Sequence, residues 1–447
     1  MELGALDNTL VLYILGDNGA SAEGGIHGNF NDIAALNGVH DTTENILRRL
    51  DEIGGQQAYN HYPAGWAHAM DTPYQWTKQV ASHWGGTRVG MVAHWPRGIN
   101  DAGTVRDHWQ HVIDVYPTIL DVAGLPIPTS VNGVPQQRID GTSFAETFAD
   151  PATPHRAVTQ YFEMFGNRGI YHDGWSACTK HCTPWIRDGL PDLTDDVWEL
   201  YGPEDWSQSH DIASEFPEKL AELQALFLAE AERNYVLPLD DRRSERFDPG
   251  IAGRPDVLRG RTSMRLFPGM TRLGTSSVPN IKNKSHRVEA AIEVPEEGAA
   301  GVVIAQGCRF SGWVLHIVDG YLTYTHNYLA ASVYEVTSDA PLPSGRHVVS
   351  FDFEVDSGPG FGRGGLVQLT VDGEVIGAGK IDRTVPFLYS GTTDVGCDIG
   401  SGVAPTYETE RGVFRGAIDW VGVDIIAGPE ATAPPVEVLN EIEIATQ

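Results

Sequence analysis

From residue 260 to residue 427 the chain offers no convincing helix. It offers short strand-forming runs divided by turns: His286 to Val294, Gly301 to Gln306, Trp313 to Val318, Tyr321 to His326, Arg346 to Val355, Leu366 to Val371, Glu374 to Ala378 and Ala417 to Ile426. Asp319-Gly320 and Asp372-Gly373 each lie between two such runs. An Asp-Gly pair tolerates the positive φ angles that a two-residue hairpin turn demands. Many short strands with regular turn signals predict an all-β sandwich here.

The preceding part is patterned differently. Thr9-Leu10-Val11-Leu12-Tyr13-Ile14-Leu15 is a continuous apolar run that stops at Gly16-Asp17-Asn18-Gly19. Such a run reads as a strand buried on both faces, as in the parallel sheet of an α/β protein. Gly90 to His94 reads as a second strand, closed by Pro96. Helices are predicted over Thr42 to Ile53, over Thr104 to Ala123 with Pro117 kinking or restarting it, and over Phe216 to Tyr235. Arg156 to Phe162 reads as a strand and Gly169 to Ala177 as a hairpin. A charged, Gly- and Pro-broken seam runs from Tyr235 to Arg254. The expected organisation is an α/β domain over 1–240, a linker over 241–259, an all-β sandwich domain over 260–427 and a loose tail over 428–447.

The chain has 447 residues, and 31 Lys and Arg face 60 Asp and Glu, a net charge of −29. A surface that negative repels phosphate backbones and anionic lipid, so neither a nucleic acid nor a membrane is the expected partner. No run of about eighteen apolar residues marks a spanning helix. Met1-Glu2-Leu3-Gly4 does not open a secretory signal. The compartment stays open, and is cytoplasmic if this start is genuine. Four cysteines in a chain of this length make no disulfide framework.

Asp17 and Asn18 close the first strand, where open α/β sheets place ligands, and both offer hard oxygens suited to Ca²⁺ or Mg²⁺. The competing reading is an ordinary Asn-Gly turn. Lys78 precedes Ser82-His83-Trp84-Gly85-Gly86-Thr87-Arg88 and can clamp an oxyanion by point charge, or else is a solvated surface residue. Arg88 suits a buried ion pair. Asp107, His108, His111 and Asp114 would share one helix, and His111 suits an apolar stripe better than a metal. Cys178, His181 and Cys182 lack the second ligand pair that a zinc site needs. Phosphate-loop, dinucleotide and Gly-x-Ser-x-Gly signatures are absent.

Taken together, these segments resemble the sulfatase family, and bacterial arylsulfatases in particular. Leu6-Asp7-Asn8-Thr9-Leu10-Val11, running into Gly16-Asp17-Asn18-Gly19-Ala20-Ser21 and Glu23-Gly24-Gly25, is similar to the family's second metal-binding segment. Thr77 to Arg88 is similar to its lysine loop, and His111 to Leu120 to the helix that follows. Gln160 to Arg168, Tyr171 to Trp175, and Trp198-Glu199-Leu200-Tyr201 with Ser207, Gln208 and Asp211 extend the likeness over about residues 5 to 245. The resemblance implies a partial alkaline-phosphatase-like fold, a mixed sheet flanked by helices. It implies hydrolysis of a sulfate ester, with Asp17 and Asn18 as ligands of Ca²⁺ and Lys78 on a sulfate oxygen.

The family's formylglycine motif, Cys/Ser-x-Pro-x-Arg, stands well before the Asp-Asn segment, where this chain has only sixteen residues. Cys182-Thr183-Pro184-Trp185-Ile186-Arg187 begins alike, but its arginine falls one position late and it follows the metal segment. The expectation is therefore the carboxyl-terminal part of an arylsulfatase, with a sulfate ester as substrate and a missing amino-terminal half as partner. The alternatives are a phosphodiesterase or phosphatase of the same superfamily, or a non-catalytic remnant joined to a carbohydrate-binding sandwich. The strand-rich region resembles lectin- and laminin-G-like modules. Trp313 and Trp420 are expected in its core.

Overall fold

A computed structural model describes residues 4–16, 18–39, 41–185, 190–242, 252, 253, 255–407 and 412–427. The chain divides into two compact units, Met1–Ala22 with Ala64–Asp241 and Glu23–Pro63 with Arg242–Gln447. The tail 428–447 and most of the seam lie outside the described residues. Among the described residues no helix is long and apolar enough to cross a membrane.

In the first unit, β1 (Val11–Ile14) pairs antiparallel with β2 (Met91–His94), Val11 facing His94 and Ile14 facing Met91. This corrects the expectation of a parallel strand buried on both faces. β2 is its one partner among the described residues, and Tyr13 and Val92 remain 62% and 58% exposed. An apolar run records that a segment suits burial; cover must come from other residues, and here the described ones do not supply it. The wide mixed sheet implied by the resemblance accordingly does not appear among them.

A small hairpin of β3 (Ser130–Val131) and β4 (Val134–Pro135) follows. Then β5 (Thr159–Met164), β6 (Asn167–His172), β7 (Trp175–Thr179) and β8 (Glu199–Tyr201) form an antiparallel sheet in chain order. The helix Pro217–Arg233 starts on a proline, whose missing N–H costs nothing at a helix start. It buries Leu223, Phe227 and Ala231 against Ile170, Ala177 and Leu200 of that sheet. The helix predicted over Thr104 to Ala123 is shorter, a 3₁₀ turn at Val112–Asp114 and an α-helix at Val115–Val122. Asp107, His108 and His111 therefore do not share a helix with Asp114. His111 caps the turn instead, its N–H donating to the Asp114 carboxylate at 2.9 Å. Pro117 falls in the first α-helical turn, where no intrahelical donor is needed.

The second unit is a two-sheet sandwich. Its strands are β9 (Ser263–Leu266), β10 (Ser285–Val294), β11 (Gly301–Cys308), β12 (Ser311–Val318), β13 (Tyr321–Tyr328), β14 (Ser332–Thr337), β15 (Gly345–Val355), β16 (Arg363–Val371), β17 (Glu374–Arg383), β18 (Thr392–Val395) and β19 (Ala417–Ala427). One sheet has the order β17-β16-β15-β10-β19-β9, the other β14-β13-β12-β11-β18. Alternate residues face inward, so Val288, Ala290, Phe351, Leu369, Val421 and Val423 of one sheet meet Trp313, Leu315, Leu322 and Tyr324 of the other. The two Asp-Gly turns form as read, with φ of 50° and 84° at Asp319 and Gly320 and 51° and 85° at Asp372 and Gly373.

Residues 23–63 pack with this sandwich. The Asn37 carboxamide oxygen accepts from the backbone N–H groups of Phe387 and Leu388, and Asn31 Nδ2 donates to the Leu329 carbonyl at 2.9 Å. The helix Thr43–Arg48 of this segment is capped by Thr42, whose hydroxyl accepts from Asn45 N at 3.2 Å.

Candidate functional site

The loop after β1 and the lysine loop meet in the first unit. Lys78 N–H donates to the Ala20 carbonyl at 3.0 Å. Ala20 N–H in turn donates to both oxygens of Asp71, at 2.9 and 3.1 Å. Asp71 ends the helix Ala64–Asp71, and burial pushes its carboxyl up despite that donor. The two segments touch through glycines. Gly19 has φ +80, and a Cβ there would strike the Gly85 carbonyl. A Cβ on Gly85 would strike the carbonyls of Gln75 and Trp76, and one on Gly86 that of Val80. The Gly-Gly pair thus lets the loop fold back on itself and lets residue 19 approach it backbone to backbone. Asn18 and Lys78 are each half-buried, on segments held together by these contacts. Asp17 lies outside the described residues.

Beneath the loop runs a hydrogen-bonded network that sequence reading missed. Ser82 Oγ lies 2.8 Å from His83 Nδ1, and His83 Nε2 lies 2.7 Å from Glu199 Oε2. Tyr201 Oη donates to the same Glu199 oxygen at 2.7 Å. Gln75 Nε2 donates to Tyr201 Oη at 3.0 Å and to the Gln208 carbonyl. Gln208 Oε1 accepts from Trp84 N at 2.7 Å, and its Nε2 donates to Ser176 Oγ at 2.9 Å. His83 and Gln208 are fully buried, so these partners are what satisfies their polar atoms. The hydrogen bond from His83 holds the Glu199 carboxyl below the ordinary glutamate range, with Tyr201 and the Lys180 charge adding to the effect. Burial, with Glu199 alongside, pushes the Tyr201 phenol far up, which keeps it a donor. Lys180 Nζ sits 5.3 Å from the centre of the Trp76 ring, so a second ammonium stands beside the lysine loop. The traces of this network in the sequence were the lysine loop with Ser82, His83 and Trp84, and Trp198 to Tyr201 with Ser207 and Gln208, as separate parts of the family likeness; the bond between His83 and Glu199 that joins them spans more than a hundred residues.

Several expectations change. Arg88 is exposed and donates to the Trp206 carbonyl at 3.0 Å rather than entering a buried ion pair. The buried pair belongs to Arg168, which bonds Asp196 at 2.6 Å with His181 Nδ1 on the same carboxylate at 2.9 Å. Cys178 hydrogen-bonds Ser176 and Gln208, and burial pushes its thiol up to about 12, so it is not a ready metal ligand. The Cys182 thiol is buried and donates to the Phe165 carbonyl at 3.3 Å, while Arg187 lies outside the described residues. Among the described residues no group of three or more His, Cys, Asp or Glu is placed to hold a metal ion. Calcium takes six to eight oxygens. The described residues therefore do not by themselves fit it.

Comparisons with known proteins agree with the sequence likeness. A family model described as Sulfatase matches residues 1–125. An uncharacterized sulfatase of Schizosaccharomyces pombe is 26% identical over 243 residues, covering 54% of this chain and 41% of that protein. The chain thus spans about two fifths of the length of this curated relative. Among solved structures, a sialidase CBM40 of Ruminococcus gnavus bound to α2,3-sialyllactose is 12% identical, covering 37% of this chain and 92% of that one, with a TM-score of 0.27. Domains LG4-5 of the mouse laminin α1 chain are 14% identical, covering 38% and 45%, with a TM-score of 0.26. Scores this low carry no argument about ligands. The family match and the curated relative together show that the amino-terminal region of this chain is similar to sulfatases.

Proposed function

We propose that this chain contributes part of a sulfate-ester hydrolase site, with Lys78 as the group that binds the ester's anionic oxygens. The observation that supports this reading is the junction of the 18–20 loop with the lysine loop through Lys78 N–H and the Ala20 carbonyl. That junction brings the loop of Asn18 and the lysine loop into one neighbourhood, which supports a lysine facing an anion there. An ammonium is a compact point charge, effective where negative charge gathers on sulfate oxygens in the transition state. Lys180, beside Trp76, adds positive potential to the same neighbourhood. A calcium ion bound at Asp17 and Asn18 would supply further charge stabilisation, but the remaining ligands have to come from elsewhere and no step is derived through it.

The nucleophile also comes from elsewhere in this reading, since the Cys182 thiol is buried against a carbonyl. A second polypeptide segment carrying it is the expected partner. The uncovered apolar side chains of β1 and β2 give such a segment a surface to cover. The test is a titration of the full chain with 4-nitrophenyl sulfate and 4-nitrophenyl phosphate, read by amide shifts at Asn18, Gly19, Ala20 and Lys78. The sulfate ester should shift these amides, and Lys78→Ala should weaken binding by about tenfold, the loss of one charge-assisted contact. No shift at these amides refutes the proposal, and a response to the phosphate ester alone turns it into the phosphodiesterase reading. Turnover by the isolated chain that disappears in Cys182→Ala would refute a nucleophile supplied from elsewhere.

A further inference from the structure

We propose that Asn167 positions Lys78, by latching the turn on which the lysine stands to the hairpin of β5 and β6. The inference rests on the sulfate-ester reading for what Lys78 binds, whereas the latch itself is a matter of backbone geometry. Lys78 stands in a tight turn closed by Val80 N–H, which donates to the Thr77 carbonyl at 3.1 Å. Lys78 and Gln79 are its two central residues. Gln79 has φ +76, at a turn position that ordinarily takes Gly or Asn when φ is positive. Trp76 has φ +69, so two residues with full side chains bracket Thr77 and Lys78 in the left-handed region. Such residues persist there only where their surroundings hold them, and they concentrate at functional sites.

The surroundings that hold this turn are specific. On one side the Trp76 ring packs against the His83 ring, centre to centre 6.4 Å, and under the Lys180 ammonium. On the other side stands Asn167. Phe165 and Gly166, with φ of 54° and 82°, form the two-residue turn between β5 and β6, and Met164 faces Asn167 across it. Asn167 thereby starts β6, fully buried. Its Nδ2 donates to the Gln79 carbonyl at 3.0 Å and to Cys182 Sγ at 3.6 Å. Its Oδ1 accepts from the backbone N–H groups of His181 at 2.9 Å and Cys182 at 3.1 Å. A carboxamide has two N–H donors and one oxygen with two lone pairs, so all of its capacity is used. Two residues further along β6, a Cβ on Gly169 would lie 2.9 Å from the Ser82 carbonyl, so the same strand also meets the far end of the lysine loop.

The oxygen of Asn167 serves the hairpin's neighbour at 181–182, and one N–H reaches across to the carbonyl of the strained residue. Without that N–H nothing in the hairpin holds the Gln79 carbonyl. The turn can then relax toward the negative φ that glutamine prefers, and Lys78, one residue earlier in the same turn, moves with it. Binding through Lys78 is weakened in proportion to the fraction of molecules whose turn has left the competent conformation. Asn167 does not reach the ester in this account. It is a positioning residue, acting through Gln79.

The test is titration of the full chain with 4-nitrophenyl sulfate, alongside the backbone carbon shifts of Gln79, which follow its φ. Asn167→Asp keeps the oxygen for His181 and Cys182 and loses the amide donor to Gln79; Asn167→Ala removes the latch in any protonation state. Both should move the Gln79 shifts away from left-handed values and weaken binding by about 5- to 30-fold, the equivalent of the strain released. Lys78→Ala should weaken binding and leave the Gln79 shifts in place, which separates contact from positioning. Leu223→Ala opens a cavity where the helix Pro217–Arg233 packs on the same sheet and should change neither readout. Asn167→Asp decides the matter if Asn167→Ala does not fold. If the wild type does not bind the ester, the sulfate-ester reading falls and the Gln79 shifts alone decide the role of Asn167. Unchanged Gln79 shifts in the folded Asn167 variants, unchanged affinity where the wild type binds, or an equal effect of Leu223→Ala would overturn the proposal.

Discussion

Replacing Gly19 by alanine tests the junction on which the candidate site depends. Two costs are separable. Gly19 has φ +80, where an L-residue is strained by about 1–2 kcal/mol. Its new Cβ would also strike the Gly85 carbonyl, and forcing such an overlap apart costs about 1–3 kcal/mol more. Gly103 supplies the control: its φ is +88 and nothing lies within 4 Å of a Cβ there. Gly103→Ala should show the strain alone, and the reduced unfolded-state entropy of alanine enters both variants alike. The assay is native-state hydrogen exchange of the Lys78 amide, which donates across the junction to Ala20. Gly19→Ala should accelerate its exchange by about 5- to 150-fold beyond any change in Gly103→Ala, the equivalent of 1–3 kcal/mol. Equal exchange in the two variants would refute the close packing of the two loops.

Other consequences are checked more briefly. Glu199→Gln should destabilise the first unit by about 1–3 kcal/mol in urea unfolding at neutral pH, because His83 and Tyr201 lose an ionised acceptor. The folded-state pKa of Glu199 is depressed, so its contribution is complete above the ordinary glutamate pKa and is lost as pH falls through the folded value. The gap between wild type and Glu199→Gln should therefore close as pH is lowered, and a constant gap would exclude this linkage. Burial holds His286 and His316 down to about 4 and His326 to about 3. These groups stay neutral when folded but charge when unfolded, so sandwich stability should fall as pH drops below about 6.5 and level off near the folded values. Flat stability over that window would show that these rings are not buried as described. Phe351→Ala should cost the sandwich about 3–5 kcal/mol in denaturant unfolding, since the ring is fully buried and meets Tyr324 at 4.5 Å and Trp313 at 5.3 Å.

The strand-rich region was the more legible part. Its eight predicted strands all form, with ends extended by a few residues, because inward and outward positions alternate in composition. The three strands not read, β9, β14 and β18, are all sheet edges. An edge strand is short, and it pairs on one side only, so its composition carries a weaker period. Trp420 was misplaced because an aromatic residue in a strand fits either face; only the inward direction of Val421 and Val423 fixes it outward. In the first unit the helix Pro217–Arg233 was legible from its buried stripe of Leu223, Phe227 and Ala231. The helix before Val115 was not, because an apolar stripe at helical spacing says nothing of the His111–Asp114 cap that starts it.

For the candidate site, the family likeness and the candidacy of Asp17, Asn18 and Lys78 came from the sequence alone, since motif order and spacing are properties of the chain. Tertiary structure alone decided that the 18–20 loop seats on the lysine loop, that Glu199 bonds His83, and that Gly422 stands in register between Arg265 and Glu289. Each of these depends on a backbone approach or a cross-strand register between residues far apart in sequence. Local composition records which segments can be buried or turned; which of them meet is settled by packing in three dimensions.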